Sequence, residues 1–531
     1  MQRRTFLKTS IAGAAFASFA APRIAASQSA RTLKYVPYQD LTLLDPIQSP
    51  AGATLQHSCM VFDTLYGMDS SYAAQPQMAE GHVVEDGGKT WKITLREGLR
   101  FHNNEPVRAS DVVASLRRWG QRDSLGLTLM SVTDELSALS DRVVQFRLKK
   151  PFPLLPDAIM GKFGAYYPAI VPAHLAATPP TQGMPEIIGS GPYRTVPGER
   201  VLGSLNIYEK FSGYVPRSSG TPNLLSGPKI AHFERIEWHT LPDPGTAGAA
   251  LQAGEIDWWD QPSNDFLPVL RRAPKVVIQL RDIIGSFAKL RPNHTQPPFN
   301  NPAIRRALLG AIVQADYMRA VAGNDPANWR DKCGFFTPGS PMASDAGLDA
   351  LTGPRDFDKV KRELASAGYN GEKVVYYAPT DSATSKAISE VAGEMFRKLG
   401  MNLDFQARDF GSMLQRTASK EPTDKGGWSM YPNNAPTVAM ASPAANNYIR
   451  GNGSSAIFGW PESPRLESLR NDWLDATDLP KQQALCRDMQ LQAFQDVPYY
   501  PLGVYFQSTA FRDSLTGVLP GYSLFYNVRR A

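Results

Sequence analysis

The spacing of hydrophobic positions predicts mostly strands in the first half of this 531-residue chain. Apolar and polar residues alternate at 91–95 and 142–148, a two-residue period typical of half-buried strands. Strands are also predicted at 32–36, 204–209 and 232–239, and a loop containing Asp45-Pro46 follows the first of these. Helices are predicted at 110–119 and 247–254, the second ending at Gly254.

After about residue 290 the pattern changes to longer helices separated by strands. Asn301-Pro302 is a strong helix start, and that helix is predicted to run to about Val321. Further helices are predicted at 356–367, at 382–399 and at 480–495. Strands at 373–377 and 402–406 flank the 382–399 helix, which indicates an α/β unit, and 499–508 predicts a last strand.

The stretch DGGKTW at 86–91 contains the final letters of a phosphate-binding loop. That loop needs a glycine five residues before Gly88, where Val83 stands, and it should lead into a helix. Thr90 leads instead into the alternating pattern at 91–95, so we predict a hairpin turn.

The first thirty residues have the basic, apolar, small order of a secretory signal. Arg3-Arg4 resembles a twin-arginine export signal, and an ordinary signal with a chance arginine pair is the alternative. The apolar run at about 11–21 is shorter than the roughly 20 residues that span a bilayer. Cleavage is expected between Ala26 and Arg31. Since no cysteine lies there to carry a lipid anchor, the sequence predicts an exported, soluble, periplasmic protein.

Composition narrows the class of protein further. About 500 mature residues indicate two to four domains at roughly 150 residues each. Three scattered cysteines predict free, buried thiols rather than a disulfide framework. The net charge of +6 falls to +2 once the four cations of the signal segment are removed. No basic run interleaved with aromatics marks a nucleic-acid surface.

The sequence also lacks the usual marks of catalysis. The seven histidines are never three or four residues apart, so no helix presents a histidine pair to a metal. There is no Gly-x-Ser-x-Gly elbow. The segment 451–456 matches the loose dinucleotide pattern but lacks its strand and helix context. Two distant carboxylates could still meet in space, so an enzyme remains an alternative at this point.

Several motifs together resemble the extracellular solute-binding proteins of family 5, the dipeptide, oligopeptide and nickel-binding group of ABC importers. The most specific is LREGLRFHN at 95–103 followed by SDVVASL at 110–116. The others occur in family order along the mature chain: FDTLY at 62–66, PQMAEG at 76–81, GSGPY at 189–193, LQAGEID at 251–257, PFNNPAIRRAL at 298–308 and DVPYYPL at 496–502.

The resemblance implies an α/β type II periplasmic-binding-protein fold with two lobes plus the extra domain of the peptide-binding cluster. After the signal at 1–30, a first domain would comprise 31–68, 186–286 and 503–531. The extra domain would be 69–185, and the opposing lobe 287–502. The lobes would close over a ligand by hinge bending near 286 and 502.

The same resemblance implies a receptor and no enzyme. Its partners would be a small-molecule ligand and an inner-membrane ABC permease with separate ATPase subunits. It would need no cofactor, metal or nucleic acid and would act as a monomer. The solute would be a peptide or a peptide-like, opine-like or aromatic compound.

The resemblance places three stretches at the cleft, 50–54, 258–261 and 427–434. The candidate ligand-binding residues in them are Thr54, Trp258, Trp259, Trp428, Tyr431, Asn433 and Asn434. The aromatic rings could stack on a ligand. Adjacent strand residues face opposite ways, so only one of Trp258 and Trp259 could point inward. The alternatives are that the tryptophans belong to the lobe cores and that Thr54 serves a cap or loop.

One departure from the peptide binders concerns specificity. Those proteins place a carboxylate in the third stretch to pair with the ammonium of the ligand. Here Tyr431, Asn433 and Asn434 occupy the comparable positions. An amide accepts a hydrogen bond but supplies no counter-charge, which questions a preference for free peptides. A metal-chelate receptor, a secreted hydrolase and a receptor reporting to a chemosensor are the other hypotheses.

Overall fold

A computed structural model describes residues 31–162, 166–281, 285–380 and 382–531. The predicted signal segment and its cleavage site lie outside the described residues. The strands, in chain order, are β1 (Thr32–Val36), β2 (Tyr66–Met68), β3 (Ala74–Pro76), β4 (Ala79–Glu85), β5 (Thr90–Leu95), β6 (Thr133–Ala138), β7 (Val143–Leu148), β8 (Met160–Gly161), β9 (Tyr193–Thr195), β10 (Leu205–Lys210), β11 (Arg235–His239), β12 (Trp258–Trp259), β13 (Val276–Leu280), β14 (Ser286–Pro292), β15 (Trp329–Arg330), β16 (Val374–Pro379), β17 (Leu403–Arg408), β18 (Met430–Pro436), β19 (Tyr500–Tyr505), β20 (Ser508–Arg512), β21 (Leu515–Thr516) and β22 (Arg529–Arg530).

The helices of the described residues vary from single turns to eighteen residues. They are α1 (Gly52–Val61), α2 (Ala109–Trp119), α3 (Ser124–Val132), α4 (Leu155–Ala158), α5 (Ala173–Ala176), α6 (Pro244–Ala253), α7 (Leu267–Leu270), α8 (Pro302–Leu309), α9 (Gln314–Ala322), α10 (Asp349–Thr352), α11 (Phe357–Ser366), α12 (Ala383–Lys398), α13 (Phe410–Thr417), α14 (Pro464–Asp475) and α15 (Leu479–Asp496). Within this part of the chain, none is long and apolar enough to cross a membrane.

Two mixed sheets form the main body of the molecule. The first sheet has the order β13-β20-β12-β1-β11-β10-β9, with β1 parallel to both β11 and β12. The second sheet has the order β15-β19-β14-β18-β16-β17, with β14 antiparallel to β18 and β19. Strands β4 to β7 form a separate four-stranded sheet, and β2, β3 and β8 a three-stranded one. Each large sheet therefore joins chain segments that are far apart in sequence.

Local signals placed many elements correctly. Asn301 caps α8 by accepting a hydrogen bond from the Ala303 N–H, as the Asn-Pro start predicts. The helix predicted at 356–367 is α11, and that predicted at 382–399 is α12, which ends before Gly400 at φ 70°. The three cysteines, Cys59, Cys333 and Cys486, are free and buried, as predicted.

Three sequence predictions need correction. The helix predicted to run from Asn301 to about Val321 is two helices, α8 and α9, separated by residues 310–313, and Gln314 at the start of α9 hydrogen-bonds to the backbone of Cys333 and Pro501. The strand predicted at 499–508 divides into β19 and β20, which belong to different sheets. Helix α1 was not predicted, because nearly all its residues are buried and show no helical period.

The DGGKTW stretch forms the predicted hairpin. Asp86, Gly87 and Gly88 all have positive φ, and β4 and β5 pair antiparallel on either side. Thr90 donates a hydrogen bond from its hydroxyl to Asp86 Oδ2 at 2.6 Å. The glycines therefore serve a tight turn, where a left-handed backbone is required.

The most specific sequence motif has a structural use. His102 is buried, and its Nδ1 accepts a hydrogen bond from the Gly189 N–H at 3.1 Å. A Cβ atom at Gly189 would lie 1.9 Å from the Val61 carbonyl oxygen, so only glycine fits there. Burial lowers the pKa of His102 to about 4, so the imidazole is neutral near pH 7. The histidine thus ties the 95–103 motif to the GSGPY turn.

Candidate functional site

The two large sheets are joined by two neighbouring crossings of the chain. The first crossing lies between the end of β13 at Leu280 and the start of β14 at Ser286, and the second lies between the end of β19 at Tyr505 and the start of β20 at Ser508. The crossings are hydrogen-bonded to each other, because the Arg281 N–H donates to the Gln507 carbonyl at 2.8 Å. The second falls a few residues after the predicted position near 502, since β19 continues to Tyr505 in the second sheet.

Beside these crossings lies a buried polar group that we call the hinge cluster: Gln56, Asp260, Arg281 and Ser523. Asp260 follows β12 and is fully buried. Its carboxylate accepts hydrogen bonds from Ser523 Oγ at 2.6 Å and from Gln56 Nε2 at 3.1 Å. The Arg281 guanidinium is 3.3 Å away at its nearest nitrogen. The cluster therefore holds an arginine at the first crossing between the sheets.

Aromatic rings lie on the Arg281 guanidinium. Its centre is 4.8 Å from the ring centroid of Tyr522 and 5.8 Å from that of Tyr38. Such contacts stabilise a cation and orient its plane. Burial raises the pKa of the Tyr38 hydroxyl, so this ring stays neutral near pH 7. The Arg281 guanidinium is therefore held between the rings of Tyr38 and Tyr522 beside the first sheet.

On the second sheet, β14 carries a lysine with very different surroundings. Lys289 is fully buried, yet among the described residues its Nζ has neither a hydrogen-bond partner nor an ion pair. The ring centroid of Tyr448 lies 3.8 Å from Nζ. Burial and the neighbouring Arg291 guanidinium lower the pKa of Lys289 well below its ordinary value. An uncompensated ammonium at this depth is costly.

The neighbours of Lys289 explain how the strand is held. Arg291 donates to the carbonyls of Tyr448, Phe458 and Pro498 at 2.8–2.9 Å, which fixes the segment at 448–458 over this face of the sheet. Directly across the strand pair, Asn433 faces Lys289 in register. The Asn433 Oδ1 is buried without a hydrogen-bond partner in the described chain.

Three polar contacts connect the second-sheet side with the rest of the molecule away from the crossings. Asn447 Nδ2 donates to Ser124 Oγ at 3.2 Å, and Lys150 Nζ lies 2.5 Å from Asp475 Oδ1. Asn264 Nδ2 donates to the Val321 carbonyl at 2.7 Å. The two sides are therefore in contact on several faces while only two crossings join them covalently.

Comparison with known proteins decides the family. The family described as bacterial extracellular solute-binding proteins, family 5 Middle, matches residues 73–456. The chain is 32% identical, over 538 residues and the whole of both chains, to the probable peptide ABC transporter periplasmic-binding protein y4tO of Sinorhizobium fredii. The protein belongs to family 5 of the extracellular solute-binding proteins. Receptors of this family serve ABC importers of peptides and nickel.

Solved structures share the fold of this family 5 chain. DppA of Helicobacter pylori, in complex with the peptide STSA, has a TM-score of 0.77 at 20% identity, covering 95% of this chain and 99% of DppA. AgaA of A. tumefaciens R10, in complex with agropinic acid, has a TM-score of 0.74 at 20% identity, covering 94% and 99%. The predicted type II periplasmic-binding-protein fold is confirmed.

The two tryptophans of β12, which were predicted to bind the ligand, lie on opposite faces of the first sheet, and both are buried. Trp258 packs against Tyr35 and Phe525 and donates its indole N–H to Thr509 Oγ1 at 2.6 Å. Trp259 packs against Phe266 on the other face. In this structure both rings therefore pack against the two faces of the first sheet, as in the core arrangement stated above as the alternative to a cleft role.

Trp428 and Tyr431 form a second aromatic cluster. Their ring centroids are 5.0 Å apart, and Trp460 lies 6.0 Å from Trp428. Trp428 is fully buried and donates its indole N–H to the Thr417 carbonyl at 3.1 Å. The predicted third stretch is largely strand β18, so Tyr431 is part of the second sheet and Trp428 lies just before it.

The polar candidates have different surroundings. Thr54 lies in α1, is buried, and donates its hydroxyl to the Leu43 carbonyl at 2.9 Å. Asn434 Nδ2 donates to Ser385 Oγ at 3.4 Å near the start of α12. Asn434 and Asn433 are partly exposed, and each has a buried Oδ1 atom without a partner among the described residues. Among the predicted residues, these two amides are the ones that have a buried oxygen without a hydrogen-bond partner in the described part of the chain.

Sequence reasoning missed Arg281, Lys289 and Tyr448. The available signal for Lys289 was its two-residue spacing from Phe287 and Arg291, which puts all three on one face of a strand. That signal is weak, because a strand that is buried along almost its whole length shows no clear polar face. Within the described residues, no group of three His, Cys, Asp or Glu could hold a metal.

Proposed function

We propose that this chain is the extracytoplasmic receptor of an ABC importer, enclosing a small polar solute between its two large sheets. The observation that carries the proposal is the way in which the two large sheets are connected. The chain crosses between them at two adjacent points, and polar side-chain contacts join the two sides away from those points. Two crossings side by side allow hinge bending, and side-chain contacts such as Asn447 to Ser124 can break and re-form. Arg281 lies at the first crossing, and Lys289 lies on β14 directly after it, so both basic residues are near the hinge that would close over a solute.

The solute class follows from the same groups and from the relatives. DppA binds a peptide, AgaA binds agropinic acid, and y4tO is named for peptides. For this chain we propose a peptide-like, opine-like or aromatic polar solute. Lys289 beneath Tyr448, which has no acidic partner in the described chain, favours a ligand with negative charge, whereas Arg281 is already paired with Asp260.

The domain division and partners belong to the same proposal. We place the first domain at 31–68, 186–286 and 503–531, the extra domain at 69–185 and the opposing lobe at 287–502. The mature protein, exported by a twin-arginine signal and free of a lipid anchor, acts as a monomer. It delivers its solute to an inner-membrane permease whose ATPase subunits are separate chains, and no catalytic step is assigned to it.

The first experiment is to purify residues 31–531 without refolding and to identify any copurifying compound by mass spectrometry. Peptides, opines, aromatic acids and oligosaccharides are then screened by thermal shift on protein stripped of ligand. A solute at 100 times its Kd should add about 2.7 kcal/mol to the free energy of unfolding. Small-angle scattering with and without that solute should show a smaller radius of gyration when it is bound.

The rival functions give different results. Chemical turnover of a bound compound would contradict the receptor proposal and favour a secreted hydrolase. Uptake of the labelled compound should be lost in cells lacking this chain. If uptake persists while movement toward the compound is lost, the chain reports to a chemosensor instead.

A further inference from the structure

Lys289 stands apart because it is buried without a partner. Lys229 is buried to the same extent, but its Nζ lies 2.8 Å from Asp63 Oδ1. Lys289 contacts the Tyr448 ring and finds no carboxylate or hydrogen-bond acceptor in the described chain. A buried ammonium normally pairs, shifts its pKa or binds a partner from outside. A structural role alone would be better served by an apolar residue of the same size.

The surroundings of Lys289 favour an anion with a neighbouring donor. Arg291 lies two residues along the same face of β14, and it adds positive potential without itself needing another acceptor, since carbonyl groups surround it. Asn433 lies on the neighbouring strand β18, directly opposite Lys289. The Cβ atoms of such cross-strand pairs are typically roughly 5 Å apart. The lysine can donate to a carboxylate while the free Asn433 Oδ1 accepts from an N–H beside it.

The backbone at this point is also irregular. The pairing of β14 with β19 shifts register here, because Ala288 pairs with Gly503 and Lys289 with Pro501, which leaves Leu502 as an extra residue on β19. Such bulges occur next to active sites more often than elsewhere. Gly503 has a φ of 121°, and a Cβ there would lie 2.7 Å from the Arg330 carbonyl oxygen, so glycine is required beside the extra residue.

The cover over Lys289 links it to the region between the lobes. Tyr448 lies over the ammonium, and its neighbour Asn447 donates to Ser124, which begins α3 on the other side. Separation of the two sides would remove the Asn447 contact and release one anchor of this cover. A solute could then reach Lys289 before the sides close.

We propose that Lys289 and Asn433 form a subsite that binds a carboxylate of the solute together with an adjacent N–H group. The subsite takes amino-acid derivatives such as the carboxyl-terminal unit of a peptide or an opine. This inference rests on the receptor function proposed above and adds the chemical class of its ligand. Tyr448 covers the bound carboxylate when the sides are in contact.

The test compares binding of matched compounds by calorimetry. The probes are the tetrapeptide Ser-Thr-Ser-Ala, its carboxyl-terminal amide, agropinic acid and the compound extracted from the purified protein. We expect a carboxylate probe to bind about 10–100-fold more tightly than its amide, the range for a hydrogen bond to a charged group. Lys289→Met should weaken that probe by a similar factor and abolish the preference for acid over amide.

Asn433→Asp provides an independent variant that keeps the fold. It introduces a carboxylate opposite Lys289, which should pair with the ammonium and exclude the carboxylate of the probe. The expected result is weaker binding of the acid probe without loss of thermal stability. Lys373→Met, at an exposed lysine of the same lobe, is the matched control and should leave binding unchanged.

Three results would each overturn the subsite while leaving the receptor function intact. The first is equal binding of acid and amide by a folded wild-type protein. The second is unchanged affinity in both Lys289→Met and Asn433→Asp. The third is an extracted compound that contains no carboxylate. If no compound copurifies and none of the screened compounds binds, the receptor function itself fails and the subsite with it.

Discussion

Lys229 and Lys289 are both fully buried, and they differ in what surrounds their ammonium groups. Lys229 pairs with Asp63, whose other oxygen accepts a hydrogen bond from the Tyr214 hydroxyl at 2.9 Å. Among the described residues, the Lys289 ammonium contacts the Tyr448 ring and lies opposite Asn433 on β18, and it has no acidic partner. A charge that is completed within the chain supports the fold. A buried charge without a counter-charge in the chain can pair with a ligand, and it lowers the stability of the ligand-free protein.

The largest effect should come from breaking the completed pair. Asp63→Asn leaves the Lys229 ammonium uncompensated, and we expect a loss of about 3–5 kcal/mol in the free energy of unfolding. Urea denaturation measures it. The double variant Asp63→Asn with Lys229→Met is the control and should recover most of the loss. A loss in the single variant below about 1 kcal/mol would show that the pair contributes little.

Removal of the unpaired Lys289 should change the free energy of unfolding in the opposite direction. Lys289→Met removes a buried polar group without a hydrogen bond, so we expect the ligand-free protein to gain about 1–3 kcal/mol. The same denaturation measurement, made on protein stripped of ligand, checks this. A destabilised Lys289→Met protein would mean that the lysine is needed for packing, and the functional interpretation would lose its main support.

The stability difference between wild type and Lys289→Met should also depend on pH. The pKa of Lys289 is lowered in the folded state, whereas the unfolded value is about 10.4. Between the lowered folded-state pKa and about 10.4, the unfolded chain binds more protons than the folded chain. The stability of the wild type therefore rises with pH relative to that of the variant. The advantage of Lys289→Met should therefore shrink as the pH approaches 10. Tyrosine titration affects both proteins and cancels in the difference.

The smallest effect is expected at an exposed lysine. Lys150 contacts Asp475 across the two sides, and both side chains are about half exposed. Lys150→Ala should change the free energy of unfolding by no more than about 1 kcal/mol, because solvent screens the pair. Small-angle scattering at low and high salt checks whether the contact also biases the separation of the sides. A large loss of stability would contradict its classification as a surface pair.

Local sequence signals were sufficient where neighbours in the chain decide the structure. Asn301-Pro302 starts α8, Gly400 follows the end of α12, and Asp86-Gly87-Gly88 turns the β4–β5 hairpin. Each depends on backbone geometry within a few residues. The family motifs extended this to the fold, which the structural comparison confirmed.

The candidate site was less predictable for a physical reason. Trp258 and Trp428 were selected as stacking surfaces because aromatic residues serve both cores and cleft walls. Their indole N–H groups are satisfied by Thr509 and Thr417, so the structure gives them core partners. Asn433 was selected for its polarity, but its counterpart Lys289 lies more than a hundred residues earlier in the chain.

The sequence by itself determined the export signal prediction, the family, and the helices and strands whose polar and apolar periods are visible. Only the tertiary structure decided which buried charges are completed. Lys229 meets Asp63, and Lys289 meets Tyr448, through contacts between segments more than 150 residues apart. The free energy of a buried charge depends on such contacts and on exclusion of water, and neither can be read from residue type or spacing.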